Sequence, residues 1–165
     1  MLCSLTLGLS AAHSFAADEA VDRTDKSFIV EAYQGGLAEV KMGEMGQSKS
    51  SNADVKKFAK HMVTDHTKAN TELKALADSK KVEVPTEPGW TAKAKAKWDD
   101  MKSGSDFDKA YADEMVSDHE KDVSAFEKAS KDAKDADVKA WAAKTLPTLK
   151  SHLKMAQELK AKVGK

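Results

Sequence analysis

The sequence predicts an all-α fold, a single four-helix bundle, from three observations. Charged residues make up 33% of the 165 residues and aromatic residues 6%, with only three prolines. That composition is typical of helices and not of a β-sandwich or barrel. Apolar residues recur every three or four positions in four long segments, the spacing of one helix face. Polar or Gly/Pro-containing stretches at 48–54, 80–105 and 131–137 separate these segments.

The first 17 residues are predicted to be an export signal. Residues 1–16 carry no charged side chain and include a short apolar run that ends in Ser14-Phe15-Ala16. Small residues in the last and third-last positions are typical of a signal-peptidase site, and the run is too short to span a membrane. Cleavage removes Cys3, the single cysteine. The remaining domain, residues 18–165, therefore fits the bacterial periplasm, with outer-membrane association as the alternative.

The first helix is predicted over residues 26–47, with Thr24 or Asp25 as its N-cap. It has two neighbouring stripes, Phe28, Ala32, Gly35, Glu39, Met42 and Gly46 in one and Ile29, Gly36, Val40 and Gly43 in the other. Glu39 faces the core only if the first stripe is buried. The glycines indicate either a close approach by a neighbouring backbone or a frayed C-terminal half.

The second helix is predicted over residues 55–79, and a long connection follows it. The helix has one clear stripe, with His66 in its middle: Val55, Ala59, Met62, His66, Ala69, Leu73 and Leu76. The connection, 80–105, contains Pro85, Pro88-Gly89 and Ser103-Gly104-Ser105, with a short helix predicted at 92–101. About 25 residues are enough to run the length of a bundle. We therefore expect a long crossover between helices 2 and 3, as in ferritin-like bundles.

The third helix is predicted over residues 106–131 and the fourth from the 131–137 turn to about 163. Their stripes are Ala112, Met115, Val116, His119, Val123 and Phe126, and Val138, Ala142, Leu149, His152, Ala156 and Leu159. Residues 111–119 (YADEMVSDH) repeat the pattern of residues 58–66 (FAKHMVTDH). Each repeat places a histidine four residues after a methionine, so both side chains lie on one face of the helix.

Turn symmetry predicts that the polar stripe residues lie level with each other. In an antiparallel hairpin, residues equidistant from the turn share one height. Glu39 and His66 are centred on the 48–54 turn, and His119 and His152 are centred on the 131–137 turn. Each pair should therefore be level to within about one helical turn, or ~5 Å.

These residues form a candidate metal site with His66, His119 and His152 as ligands and Glu39 as either a fourth ligand or a supporting partner of a ligand. Asp65 and Asp118 precede two of the histidines and are candidate supporting partners. Four methionines on the same faces are candidate soft ligands: Met42, Met62, Met115 and Met155. Thioethers favour copper, whereas a His/Glu set also suits zinc or iron. A hydrogen-bonded polar layer without a metal is the competing interpretation.

The motifs MVxDH, at Met62–His66, and LPxLxxHL, at residues 146–153, together with Glu39-Val40 resemble those of a bacterial exported protein family of unknown function. Its members often carry ferritin-like or outer-membrane labels. The resemblance covers about residues 25–160 and implies a ferritin-like four-helix bundle and an exported location. It implies no activity.

The residues argue against di-iron chemistry and against nucleic-acid binding. Di-iron bundles carry Glu-x-x-His on two helices, whereas the residues three before the histidines are Val63, Val116 and Leu149. The formal net charge is zero and Arg23 is the only arginine, so no nucleic-acid partner is expected. The leading hypothesis is a non-enzymatic protein whose partner is a metal ion. The alternatives are a structural or stress-related interaction protein and, third, a redox enzyme that uses the metal.

Overall fold

The computed structural model describes residues 21–164, and it confirms the all-α prediction. Its five helices are α1 (Arg23–Lys49), α2 (Ala53–Ser79), α3 (Ala92–Asp100), α4 (Ser105–Asp132) and α5 (Ala136–Val163). The four long helices and the short helix in the connection lie where the sequence predicted them. The predicted export signal, residues 1–17, lies outside the described residues.

The four long helices form two hairpins joined by a long crossover. α1 packs mainly against α2 and α4 mainly against α5, while smaller contacts join α2 to α5 and α1 to α4. Val82, just after α2, belongs to the apolar cluster at one end of the bundle, and Trp98 of α3 belongs to the cluster at the other end. The connection therefore runs the length of the bundle, as predicted. Within residues 21–164, no helix is both long and apolar enough to span a membrane.

Lys49, the last residue of α1, anchors the crossover. Its ammonium group donates hydrogen bonds to the carbonyl oxygens of Trp98, Asp99 and Met101 at 2.6, 2.9 and 2.9 Å. These carbonyls lie at the C-terminal end of α3, where carbonyl groups lack partners within the helix. One side chain thus satisfies the end of the short helix and ties it to the first hairpin.

The prediction that Thr24 or Asp25 caps α1 is wrong, because Asp22 does so and accepts from the Thr24 backbone N–H. The buried carboxylate of Asp25 instead accepts from the backbone N–H groups of Lys134 and Asp135 at 2.9 and 2.7 Å. This contact fixes the start of α1 against the turn between α4 and α5. The two hairpins are therefore tied together at this end.

The buried face of α1 combines residues from both predicted stripes. Ile29, Gly36 and Gly43 come from one stripe, and Glu39 and Gly46 from the other; all are buried. The glycines provide the predicted close approach, and α1 continues through them as one helix. A methyl group at position 43 would lie 2.8 Å from the Ala59 carbonyl oxygen and 2.7 Å from a Val63 methyl. Only glycine fits α1 this closely against α2.

The core consists of two apolar clusters with a polar layer between them. One cluster holds Phe58, Phe107, Tyr111 and the methionines near the α4 N-terminus. The other holds Ile29, Leu73, Phe126 and Trp141 near the opposite end. Glu39, His66, His119 and His152 are buried polar residues, and in sequence each falls between core residues of the two clusters. The polar layer therefore crosses the bundle near its middle.

Candidate metal centre

His66, His119 and His152 meet in the middle of the bundle, each contributed by a different long helix. Their ring centroids are separated by 5.3–5.6 Å, and the three residues are 6%, 0% and 1% exposed. One ring nitrogen from each lies within 4.8 Å of the corresponding nitrogens of the other two. We call these three residues the three-histidine centre. The side chains are level within each hairpin, as predicted, and the packing of one hairpin on the other brings all three to the same height.

Neighbouring oxygens fix the tautomers of two of these rings. His119 Nδ1 lies 2.8 Å from the Met115 carbonyl oxygen, and His152 Nε2 lies 2.9 Å from Asp65 Oδ2. A carbonyl or carboxylate oxygen can only accept, so these ring nitrogens carry the hydrogen. His119 Nε2 and His152 Nδ1 are therefore left with free lone pairs. This is the arrangement by which proteins orient metal-binding imidazoles.

Several buried ring and carboxylate atoms of this layer have no hydrogen-bond partner in the described chain. His66 Nε2, His119 Nε2 and His152 Nδ1 are all buried and unpaired, as is Glu39 Oε2. An unpaired buried polar atom costs about 1–3 kcal/mol. A layer with only a structural role would be expected to pair these atoms with each other, so the arrangement favours a ligand that accepts several lone pairs at once.

Burial keeps the three imidazoles neutral at neutral pH. It lowers the pKa of His119 to about 4. Burial also lowers the pKa of His66 well below its usual value, with smaller effects of His119 and His152 in the same direction. The pKa of His152 is lowered by burial as well, although the Asp65 carboxylate opposes this. Neutral imidazole is the form that binds metals, so protons compete little for these nitrogens near pH 7.

Glu39 faces the core but lies on the far side of His119. Its Oε1 is 3.9 Å from His119 Nδ1, the nitrogen already bound to the Met115 carbonyl. The cluster of potential ligands in residues 21–164 contains the three histidines and not Glu39. Burial raises the pKa of Glu39 well above its usual value, and Asp122 and Asp118 add to this by repulsion. Glu39 therefore belongs to the polar layer without lying beside the free nitrogens.

The two aspartates of the repeated motif have different contacts. Asp65 bonds His152 across the α2–α5 interface. Asp118 instead pairs with Lys121 on its own helix, at 2.8 Å. The repeat thus gives one aspartate that touches a histidine and one that forms an exposed ion pair.

The four candidate methionines lie with the apolar cluster near the α4 N-terminus. Met42, Met62 and Met115 are buried members of this cluster, and Met155 packs against it half-buried. Met62 and Met115 precede His66 and His119 by one helical turn. Their side chains form the apolar wall on that side of the polar layer.

The sequence interpretation missed two polar residues next to the centre. Asn70, four residues after His66, is 8% exposed, and its amide nitrogen has no partner among the described residues. Asp122 lies three residues after His119, and burial together with Asp118 raises its pKa to about 6. Helical spacing from each histidine was the available signal, because positions i+3 and i+4 share the face of position i.

The fold and this site together define a helical bundle with a buried cluster of three histidines. The chain belongs to a protein family described as a domain of unknown function, DUF4142, whose pattern matches residues 10–159. The expected resemblance to a family of unknown function is thereby confirmed. No curated protein matches the chain.

Several solved structures share the fold. A DUF305 fragment from Deinococcus radiodurans is 12% identical with a TM-score of 0.75 and covers 87% of this chain and 99% of its own. A DUF305 protein from Streptomyces coelicolor, described as a candidate secreted protein, is 16% identical with a TM-score of 0.73 and covers 90% and 95%. CopM in its Cu(I)-bound form is 17% identical with a TM-score of 0.67 and covers 83% and 95%. CopM has also been solved in Cu(II)-bound and silver-bound forms.

Proposed function

We propose that this protein is a metal-binding protein that holds one transition-metal ion at the three-histidine centre. The observation that carries the proposal is the set of buried, unpaired ring nitrogens on His66, His119 and His152. Each comes from a different helix, and two are aimed by hydrogen bonds on the opposite side of the ring. Three neutral nitrogen donors around one point are a typical metal ligand set.

The spacing of the donors suits an ion after a small movement. Bonds of about 2.0–2.1 Å from a metal to three imidazoles require nitrogen–nitrogen distances of about 3.3–3.6 Å. The ring nitrogens here lie within 4.8 Å of each other, so the widest pair needs to approach by at most about 1.2–1.5 Å. We expect rotations of the histidine side chains to supply this movement.

Copper is the first candidate ion, with zinc and iron(II) as the alternatives. Imidazole nitrogen suits all three metals, so the ligands alone do not select one. Copper is favoured because the structural neighbour CopM binds Cu(I), Cu(II) and silver. The apolar wall of Met62 and Met115 also provides a soft environment that suits Cu(I). In this proposal the imidazoles bind the ion and the methionines line its apolar side.

We further propose that the protein acts by binding and not by catalysis, outside the cytoplasm. Di-iron bundles bridge their metals with carboxylates three residues before each histidine, and this chain has Val63, Val116 and Leu149 there. The proposal that the protein is exported rests on the apolar N-terminal segment of the sequence. It agrees with the description of the Streptomyces coelicolor neighbour as a candidate secreted protein.

A titration of purified protein with Cu(I), Cu(II), Zn(II) and Fe(II) against a coloured chelator tests the proposal. We expect uptake of one ion per chain and its loss in the variant His66→Ala/His119→Ala/His152→Ala. His61→Ala is the matched control, because His61 lies on α2 but is exposed. Circular dichroism verifies that each variant remains helical, and His119→Gln tests one ligand with little change in volume. The absence of micromolar uptake, or unchanged uptake in the triple variant, would contradict the proposal.

A further inference from the structure

A groove on the surface lies between α2 and α5, beside the three-histidine centre. It encloses about 180 Å³ and is lined by seven residues of these two helices: Asp65, Lys68, Ala69, Glu72, Lys144, Thr145 and Thr148. A smaller cavity of about 30 Å³ lies next to it, and His66 and His152 form part of its wall. We call these two spaces the α2–α5 groove and the inner cavity.

The α2–α5 groove and the inner cavity share part of their walls. Four residues line both spaces: Asp65, Ala69, Thr145 and Thr148. These side chains therefore form the boundary between the open groove and the space beside two of the histidines. A surface cavity on the α1–α4 side, of about 300 Å³, is lined by Glu39 but by none of the three histidines. Of these two surface cavities, the α2–α5 groove is the one that adjoins the histidines.

Asp65 connects the groove to the centre. Its side chain is 38% exposed, yet its Oδ2 accepts a hydrogen bond from Nε2 of the buried His152 at 2.9 Å. Carboxylate oxygens bind divalent metal ions and replace water molecules around them. One side chain can therefore contact an ion in the groove while it is bonded to a histidine of the centre.

The inner cavity is too small for an ion with its full hydration shell. A water molecule needs roughly 10–15 Å³ of such a space, so a cavity of about 30 Å³ holds about two. An ion that passes from the groove to the histidines must therefore lose most of its water on the way. The Asp65 carboxylate lies at the boundary where this exchange takes place.

Two features make the wall of the groove easier to open. Pro147 lies inside α5, next to Thr148, and has no N–H group, so the carbonyl oxygen of Ala143 lacks its usual partner in the helix. The ion pair between Lys144 and Glu72, at 2.8 Å, spans the groove at the surface, where such pairs add little stability. Movement of α5 at this point therefore breaks fewer strong contacts than movement of a regular helix would.

We propose that ions enter and leave the three-histidine centre through the α2–α5 groove, with Asp65 as the first residue to bind them and the Asp65–His152 hydrogen bond as the gate. The incoming ion binds the Asp65 carboxylate, the hydrogen bond opens, and the ion passes through the inner cavity to the free ring nitrogens. This inference rests on the proposed function, because it concerns how the same site is filled. It gives Asp65 a role in the rate of binding besides its role in orienting His152.

Stopped-flow mixing of the full chain with Cu(II) tests the route. Quenching of tryptophan fluorescence reports uptake, since Trp141 lines the inner cavity, and transfer of the bound ion to an excess of chelator reports release. Ala69→Leu/Thr148→Leu adds bulk to the shared wall and should slow uptake and release several-fold while the Kd stays unchanged, because a blocked route affects both rates alike. Circular dichroism verifies the helical content.

A control places the same side chains outside the groove. Thr67→Leu/Ser151→Leu adds leucine at exposed positions of the same two helices and should keep the wild-type rates. Wild-type rates in Ala69→Leu/Thr148→Leu, or equal slowing in the control, would overturn the proposal.

Lys144→Ala tests the opposite change. It removes the ion pair that spans the groove and one positive charge from the entrance, and both effects should speed uptake. Lys139→Ala removes the same charge from an exposed position of α5 outside the groove and should leave the rate unchanged. An unchanged rate in Lys144→Ala would count against the route.

Asp65→Asn separates entry from orientation of His152. The amide oxygen can still accept from Nε2, but the charge that attracts and binds the ion is lost. Uptake should therefore become slower and less sensitive to salt, since salt screens the attraction between charges. A carboxylate that only orients His152 would leave the salt dependence of uptake as in the wild type, and that result would refute the role of Asp65 in entry.

Equilibrium binding distinguishes this proposal from the one on which it rests. If the wild type binds no ion, the proposed function fails and the route fails with it. If the wild type binds one ion per chain and Ala69→Leu/Thr148→Leu exchanges it as fast as the wild type does, the route alone is wrong.

Discussion

Removal of the Asp65 carboxylate tests how the protein orients one imidazole of the three-histidine centre. Asp65 Oδ2 accepts a hydrogen bond from His152 Nε2 at 2.9 Å, which leaves Nδ1 free. In Asp65→Ala, nothing holds the hydrogen on Nε2, so His152 spends time in the tautomer whose hydrogen blocks the ligand position. Loss of such a supporting partner typically costs 10–100-fold in metal affinity, or about 1.4–2.7 kcal/mol.

The assay is a competition titration of Cu(I), and of Zn(II) in parallel, against a chelator of known affinity. We expect Asp65→Ala to bind 10–100-fold more weakly than the wild type. Asp65→Asn should lose less, because its amide oxygen can still accept from Nε2. The control is Asp54→Ala, which removes an exposed carboxylate from the same helix together with its ion pair to Lys162.

Two results would refute this reasoning. Wild-type affinity in Asp65→Ala would show that packing alone orients His152. An equal loss in Asp54→Ala would show that the effect comes from overall charge. Circular dichroism and the unfolding midpoint without metal establish whether the variants share one fold.

Three further predictions concern stability. Gly43→Ala should lower the free energy of unfolding by about 1–3 kcal/mol more than Gly35→Ala does. A methyl group at position 43 would overlap the Ala59 carbonyl oxygen, whereas one at position 35 meets nothing within 4 Å. Urea unfolding measures both variants, and equal effects would contradict the close packing of α1 on α2. As pH falls from 6.5 towards 4, the free energy of unfolding of the metal-free wild type should fall by about 3 kcal/mol more than that of His119→Gln. The reason is that His119 in the unfolded chain binds a proton, whereas native His119, with a pKa of about 4, does not. A difference between the two proteins that stays constant with pH would contradict this prediction. Lys49→Met should speed amide exchange at residues 98–101, since the ammonium group holds three carbonyls there, and unchanged exchange would count against the anchor.

Much of this fold could be predicted because helical periodicity and the positions of turns are local properties of the sequence. Helical periodicity located the long helices, and the position of each turn fixed which residues are level within a hairpin. His66 with Glu39, and His119 with His152, therefore lay at predictable heights. The two hairpins also place these residues at the same height. This is a feature of the tertiary structure, and it depends on the packing between the hairpins.

The parts that sequence reasoning missed depend on contacts between distant residues. Asp25 follows a capping pattern, yet it binds the backbone at Lys134 and Asp135, more than 100 residues away. Asp65 and Asp118 occupy the same place in a repeat, but only Asp65 has a histidine of another helix within reach. The rotation of α1 depended on where α2 approaches its glycines, which no stripe on α1 reveals.

Because the bundle consists of two hairpins, the three-histidine centre joins residues from both of them. The helices within each hairpin contact each other far more than they contact the other hairpin. His66 belongs to the first hairpin, and His119 and His152 belong to the second. A shared ion would therefore act as a removable cross-link between two halves that make fewer close backbone contacts with each other than within themselves. At a free concentration 100 times its Kd, an ion that binds only the native arrangement adds about 2.7 kcal/mol of stability. The metal supply would thus raise the free energy needed to separate the two hairpins.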